Sequence, residues 1–416
     1  MNNENIHQYL SHLESHSFIY DKSTKKSFIS QNKSTENPFH YHELRNDESN
    51  QLIRRLIHLR FDTFLSENDL KQLNDNIDFS CRNKPQCMVE KLYTRIATHK
   101  GNIIINSNTI TDTYTNTGFI TIYNISSSVI NISAKSPVNF IYSRDIGPMI
   151  DPDIIEGNIN LLQNHINVND ESLKLIIVWI LNSFIDNTPH LLLAINGPSG
   201  SAKSTIQSFL KKIVDPRNID LQDQFSSNKD LLLAALQTHL IDMNNVSNLD
   251  ASMENKMCTI LSGGTSVIRK PYTDNAPEII NFKNPMIING IRKIVKSDDL
   301  LERSIVISLE AIHPSKRKTE EDIFSQFNND LPKILGGIFR TLGKVLALKE
   351  SFETSGNLNR MADFHRLGLI TEKVLDWKKD SFTKAYNRNI FLAQGNIINN
   401  SFVPVVWDLN DMDNSD

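Results

Sequence analysis

Apolar positions recur along this chain in three successive rhythms. In residues 48–65, Leu52, Ile53, Leu56, Ile57 and Phe61 fall at helical spacing, which predicts an amphipathic helix within a polar and mostly helical first region, residues 1–85. From 86 to 147 the pattern changes to short β-type runs at 102–105, 118–125, 129–133 and 138–142, parted by turn residues, so a small β-rich module is expected there. Pro148, Pro152 and the acids Asp151 and Asp153 read as a linker, and 173–184 as an apolar helix. From His190 onward strand, helix and strand patterns alternate, the signature of an α/β fold built on a parallel sheet. This core is expected to span 148–310. Helical periodicity returns at 320–327, 331–348 and 363–376, giving a helical C-terminal region, 311–400, and then an acidic tail, 401–416, expected to fray.

A chain of 416 residues is longer than one ordinary domain. Its longest apolar stretches, 173–181 and 190–195, stop well short of the ~20 residues a membrane-spanning helix needs, so no membrane association is expected. The first residues lack both a basic start and an apolar core, which predicts a cytoplasmic location. Cys81, Cys87 and Cys258 make no disulfide framework, and Cys81 with Cys87 fall short of a structural zinc set. The net charge of −4 excludes coating of nucleic acid through bulk positive charge, so any DNA contact must be local.

The strongest chemical signal follows the apolar run 190–195. After Asn196 stand Gly197, Pro198, Ser199, Gly200, Ser201, Ala202, Lys203, Ser204 and Thr205, and 206–214 then reads as a helix. Strand, loop and helix in this order form the setting of a phosphate-binding loop, where main-chain N–H groups and the helix N-terminus favour an anion. Lys203 is expected to reach the β- and γ-phosphates of ATP, and the Ser204 hydroxyl to ligate Mg²⁺. Ala202 stands where the usual pattern has its last glycine, so its methyl either fits or strains the backbone.

Several ordered pieces follow the loop: a helix and strand at 231–236 and 238–243; Gly263 and Gly264 with a turn-bearing segment at 267–272; an apolar strand at 284–289; and the acidic run 298–303 ahead of the strand 304–309. Leu261-Ser262-Gly263-Gly264-Thr265 mimics an ABC-type signature. In ABC domains, however, that signature precedes the acidic strand, whereas here the strand candidate comes first. The order instead resembles the superfamily 3 branch of AAA+ ATPases, in particular the C-terminal part of phage and plasmid primase-helicases and a group of bacterial ATP-binding relatives, over roughly residues 90–390.

The resemblance implies an AAA+-like P-loop core. It puts Asn244, with Asp242 two residues earlier, where the family holds its metal-binding Asp; both side chains should face one side of a strand. Neither has a neighbouring Glu to orient the attacking water. Asn289 matches the family's sensor Asn between γ-phosphate and water, and Arg303 its arginine acting on the ATP of a neighbouring subunit. Arg269, Lys270 and Tyr272 match a pore hairpin and are expected to meet DNA phosphate and base. Arg360 is a weaker match to a second sensor.

These matches imply an ATPase with Mg²⁺ as cofactor, helicase-like, acting on DNA in the replication of a mobile element or virus. They also imply a homo-oligomer, with a hexameric ring as one form. The missing Glu leaves open an ATP-dependent regulatory or scaffold protein that unwinds nothing. A P-loop small-molecule kinase is a third reading, against which the helical tail offers no dense Arg cluster.

Overall fold

A computed structural model describes residues 3–13, 18–30, 40–111, 116–123, 130–133, 136–268, 278–291, 293–354 and 356–398. In the first part of the chain α1 (Asn3–Leu13), α2 (Asp47–Phe61) and α3 (Glu67–Asn83) enclose a core of Leu13, Ile53, Ile57, Leu73 and Ile77. The amphipathic stretch forms α2. Asn46 caps it by accepting from the Ser49 N–H, and Asp62 closes it in a left-handed conformation.

This part is not purely helical. The strands β1 (Phe18–Asp21), β2 (Lys26–Ser30) and β3 (His40–Glu43) join β4 (Met88–Val89) and β9 (Phe140–Ile141) in one sheet, ordered β4-β1-β2-β3-β9. Strands of four or five residues are too short to declare a period of two, and β9 reaches β3 from far along the chain. Between them β5 (Ile96–His99), β6 (Asn102–Thr111), β7 (Asn116–Ile122) and β8 (Ile130–Ser133) form an antiparallel meander.

The next layer begins with α4 (Asp170–Ser183), then β10 (Leu192–Asn196), α5 (Lys203–Val214), α6 (Asn228–Gln237), β11 (Ile241–Met243) and α7 (Ala251–Ser262). A hairpin base, β12 (Thr265–Ile268) against β13 (Glu278–Asn281), precedes β14 (Met286–Gly290), α8 (Asp298–Leu301) and β15 (Ser304–Ser308). Four strands form a parallel sheet, ordered β11-β14-β10-β15. Leu193, Ile195 and Ile307 face the core shared with α4 and α5, while Leu192, Ala194 and Ile288 face the other. This sheet is buried on both sides, as a continuous apolar run predicts. Because β14 lies between β10 and β11, the carboxyl ends of three strands open onto one crevice, the usual ligand position in such sheets.

The helices α9 (Glu320–Lys349), α10 (Ala362–Val374) and α11 (Ser381–Ile398) complete the chain. The sequence predicts two helices where α9 runs unbroken through Pro332. The predicted linker lies against this helix. Asp153 and Asn158 donate their N–H groups to the Pro332 and Lys333 carbonyls, at 2.9 and 2.8 Å. A Cβ on Gly336 would stand 1.9 Å from the Asp153 oxygen, so only glycine admits the approach. The sequence did not announce α11. Its Asn389 lies along β15, accepting from the Val306 N–H at 3.1 Å and donating to the Val306 carbonyl at 2.7 Å. Among the described residues no helix is long and apolar enough to cross a membrane.

Candidate nucleotide site

The carboxyl end of β10 delivers the chain into the loop. Gly197 N–H bonds the Gly290 carbonyl at 3.2 Å, and Leu309 N–H bonds that of Asn196 at 2.8 Å. A Cβ on Gly197 would meet Ser201 Oγ at 2.7 Å and the Leu309 oxygen at 2.9 Å, so the loop closes only around glycine. Gly200 (φ +75°) and Ala202 (φ +63°) both adopt left-handed backbone. For an alanine that conformation costs roughly 1–2 kcal/mol. The methyl at 202 is therefore accommodated under strain, at the turn that sends the chain into α5.

Ala202 caps α5 without any side-chain hydrogen bond. The donors at the start of this helix thus lack the side-chain acceptor that Asn46 gives α2, which suits an anion from outside. Lys203 folds back over the loop and donates from Nζ to the Pro198 carbonyl at 2.8 Å, beside Ser201 Oγ, which bonds the same oxygen at 2.9 Å. Burial pushes the Lys203 ammonium below its usual pKa. Ser199 is exposed at the tip, and Thr205 follows within the first turn of α5.

One polar cluster joins the three strand ends. Ser204 Oγ donates to Asn244 Oδ1 at 2.9 Å, and Asn289 Nδ2 donates to the same oxygen at 2.7 Å. Asn289 also donates to Gln207 Oε1, and its own Oδ1 accepts from the Asn245 N–H at 3.2 Å. Gln207 in turn bonds the Met243 carbonyl. Sequence reading missed Gln207, which looks like an ordinary helix-surface residue yet is fully buried.

Asp242 and Asn244 part company. Asp242 forms an ion pair with Lys211 at 2.9 Å and accepts from the Gln222 N–H at 3.0 Å, with 4% of its side chain exposed. Lys211 is two turns along α5 from Lys203, about 12 Å at helical rise, so Asp242 is held at a deeper level than the loop. Asn244 alone adjoins Ser204.

Arg303 lies away from the loop. Leu192 pairs with Ser304 and Asn196 with Ser308, which sets Arg303 at the amino end of the sheet, about 13 Å of strand from the loop. Its guanidinium bonds Asp299 Oδ1 at 2.5 Å and Ser262 Oγ at 3.1 Å. Hydrogen bonding to Arg303, with Arg360 adding to it, holds the Asp299 carboxyl down at about 2. Arg360 also pairs with Glu302, so both candidate arginines share one acidic cluster. Arg269, Lys270 and Tyr272 lie outside the described residues.

Among the described residues no cluster of three or more His, Cys, Asp or Glu side chains could hold a metal. Ser204 Oγ and Asn244 Oδ1 are neutral oxygen donors. They fit an ion that keeps its waters and arrives on phosphate, the habit of Mg²⁺, better than a free divalent cation. Beside the start of the loop a cavity of about 540 Å³ opens among Asn169, Leu175, Pro198, Ser308, Asn389 and Leu392.

Among protein families, residues 158–378 match the model described as the actinomycete integrative conjugative element replication protein. No curated protein matches. Similar solved structures include the active helicase Cch of SCCmec type IV, at 12% identity over 92% of this chain and 73% of that one, with a TM-score of 0.46. Two apo structures of the NrS-1 C-terminal region are also similar. One shows 14% identity over 84% of this chain and 75% of that one, the other 12% over 93% and 92%, each with a TM-score of 0.43.

Proposed function

This chain belongs to the family of actinomycete integrative conjugative element replication proteins, and we propose that it serves replication as a helicase-like P-loop ATPase of the superfamily 3, AAA+ type. The observation that carries the reading is the loop at 197–205. An uncapped helix start, two left-handed residues and a lysine hung over the loop meet the strand ends that carry Asn244 and Asn289.

In this reading Lys203 exchanges the Pro198 carbonyl for the β- and γ-phosphates of ATP, and the main-chain amides of 200–205 surround them. Ser204 turns its hydroxyl from Asn244 toward Mg²⁺, with Asn244 as an outer partner. Ser204, backed by Asn244, would hold an Mg²⁺ that arrives with the nucleotide, and such an ion would supply positive charge against that developing on the phosphates. Asn289, fixed by Gln207 and the Asn245 N–H, is set to orient a water. Arg303 is too far along the sheet to serve its own loop and acts on a neighbouring copy of a homo-oligomer. Arg269, Lys270 and Tyr272, in the segment of the sequence between β12 and β13, meet DNA phosphate and base in this reading.

An ATP titration of Lys203→Ala against the unaltered chain tests the loop, and equal affinities would overturn the assignment. Turnover with and without single-stranded DNA, in Arg303→Ala and the unaltered chain, tests action between copies; it should fall about a thousandfold or more in the variant. A second reading, an ATP-dependent regulatory or scaffold protein, is favoured by one observation: an amide rather than a carboxylate adjoins Ser204. ATP-driven assembly without release of a strand from a forked duplex would select it.

A further inference from the structure

The chain leaving β15 does not run directly to α9. Leu309 N–H bonds the Asn196 carbonyl, and Ile312 N–H bonds that of Gly200 at 3.1 Å, so residues 309–312 are laid across the loop. A short turn, Pro314–Lys316, then reverses the direction, fixed at its start by His313 Nδ1 accepting from the Ser315 N–H. The reversal brings Arg317 back to the loop. Its Nε donates to the Ile312 carbonyl at 3.3 Å, and its Nη2 stands 3.4 Å from where a Cβ on Gly200 would be.

Three features make this arginine unlike its neighbours. Its guanidinium lies against the loop at Gly200, within van der Waals reach of where a side chain there would begin. Among the described residues Arg317 has no carboxylate partner, whereas Arg303 and Arg360 both do. And it stands by the positive end of α5, where a second uncompensated cation is unfavourable unless an anion joins them.

We propose that Arg317 is a nucleotide-binding residue acting within its own chain, its planar fork engaging the diphosphate shared by ADP and ATP on the Gly200 side of the loop. A guanidinium is suited to pair two non-bridging oxygens at once, which the Lys203 ammonium cannot do. The inference rests on the nucleotide reading of the loop and adds a residue that no P-loop pattern contains. It also gives the crossing strap a role: residues 309–317 tie the end of β15, and the helices that follow, to occupancy of the loop.

The test is equilibrium binding of fluorescent ADP and ATP to the full chain, at low and moderate salt, for the unaltered protein, Arg317→Ala, Arg317→Lys and Lys203→Ala. Arg317→Ala should weaken both nucleotides about tenfold, the scale of a lost charged hydrogen bond, and flatten the salt dependence. Arg317→Lys should recover part of the loss. Because Arg317 is exposed and adds an uncompensated cation to the empty loop, the melting temperature of Arg317→Ala without nucleotide should not fall. Unchanged binding in Arg317→Ala beside weakened binding in Lys203→Ala would overturn this inference and leave the loop reading standing. No binding by the unaltered chain would remove both.

Discussion

Arg95 and Asp215 form an ion pair at 2.9 Å with 1% of either side chain exposed. Arg95 precedes β5 and Asp215 closes α5, so the antiparallel meander is keyed to the carboxyl end of α5. The guanidinium also donates to the Asn106, Gly147 and Pro216 carbonyls. The second carboxylate oxygen accepts the His239 and Leu240 N–H groups at 3.0 and 3.1 Å, just ahead of β11. Burial pushes the Asp215 carboxyl up, but the Arg95 and Arg217 guanidiniums outweigh it and hold the group below the usual carboxylate range.

Removing Arg95 should therefore leave a buried carboxylate unpaired. Arg95→Ala is expected to cost about 3–5 kcal/mol in urea unfolding. Replacing both partners, as Arg95→Met with Asp215→Leu, should recover part of the charge penalty while leaving three carbonyls and two N–H groups without their partners. A single replacement that unfolds at the original urea midpoint would show that the pair does not join the two layers.

Asn244→Asp should raise Mg²⁺-dependent ATP turnover. Both donors that now reach Asn244 Oδ1, from Ser204 and Asn289, suit a carboxylate equally well, so the exchange needs no rearrangement. Groups just outside a metal's ligands change activity by about 10–100-fold, and a gain at the lower end is expected in a phosphate-release assay. A loss of turnover would mean that the amide itself is needed there.

Ala202→Gly should stabilise the chain. Relief of the left-handed backbone, roughly 1–2 kcal/mol, exceeds the roughly 0.4–1 kcal/mol that glycine adds to the freedom of the unfolded chain. Chemical denaturation without nucleotide reads the difference, and a destabilised variant would show that the alanine methyl packs usefully.

Acid should weaken the fold between pH 7 and 5, in part through His190. Burial drives this imidazole well below its ordinary pKa, with His239 close by adding to the effect. The unfolded chain takes up a proton near pH 6.5 that the folded one refuses, so stability is greatest above that pH and falls below it, by up to about 1.4 kcal/mol per pH unit for one such group. His190→Leu should flatten the slope of unfolding free energy against pH. An unaltered slope would assign it to other groups.

The setting of the loop was legible because it is contiguous: nine successive residues follow an apolar run and lead into a helical one, and the structure places β10 before them and α5 at their end. Asn289 was legible as the polar end of an apolar run. Asp242 and Asn244 could not be told apart, since alternation puts both on one side and only their depth against α5 separates them. Gln207 and Arg317 were hidden for a related reason. One acquires its role from two strands that meet it in space, the other from a chain reversal after β15. The short strands β1 to β3 carried too few residues to show a rhythm, and α9 ran on past a proline that normally ends a helix.

The amide of Asn389 occupies both main-chain groups of Val306 on the side of β15 turned away from β10. At that position the sheet margin is sealed by a side chain, in the manner of a false final strand, and cannot be extended by a further backbone. Any second chain that met the molecule at this position would have to do so through side-chain surfaces, and such a contact could form and part without tearing a hydrogen-bonded ladder.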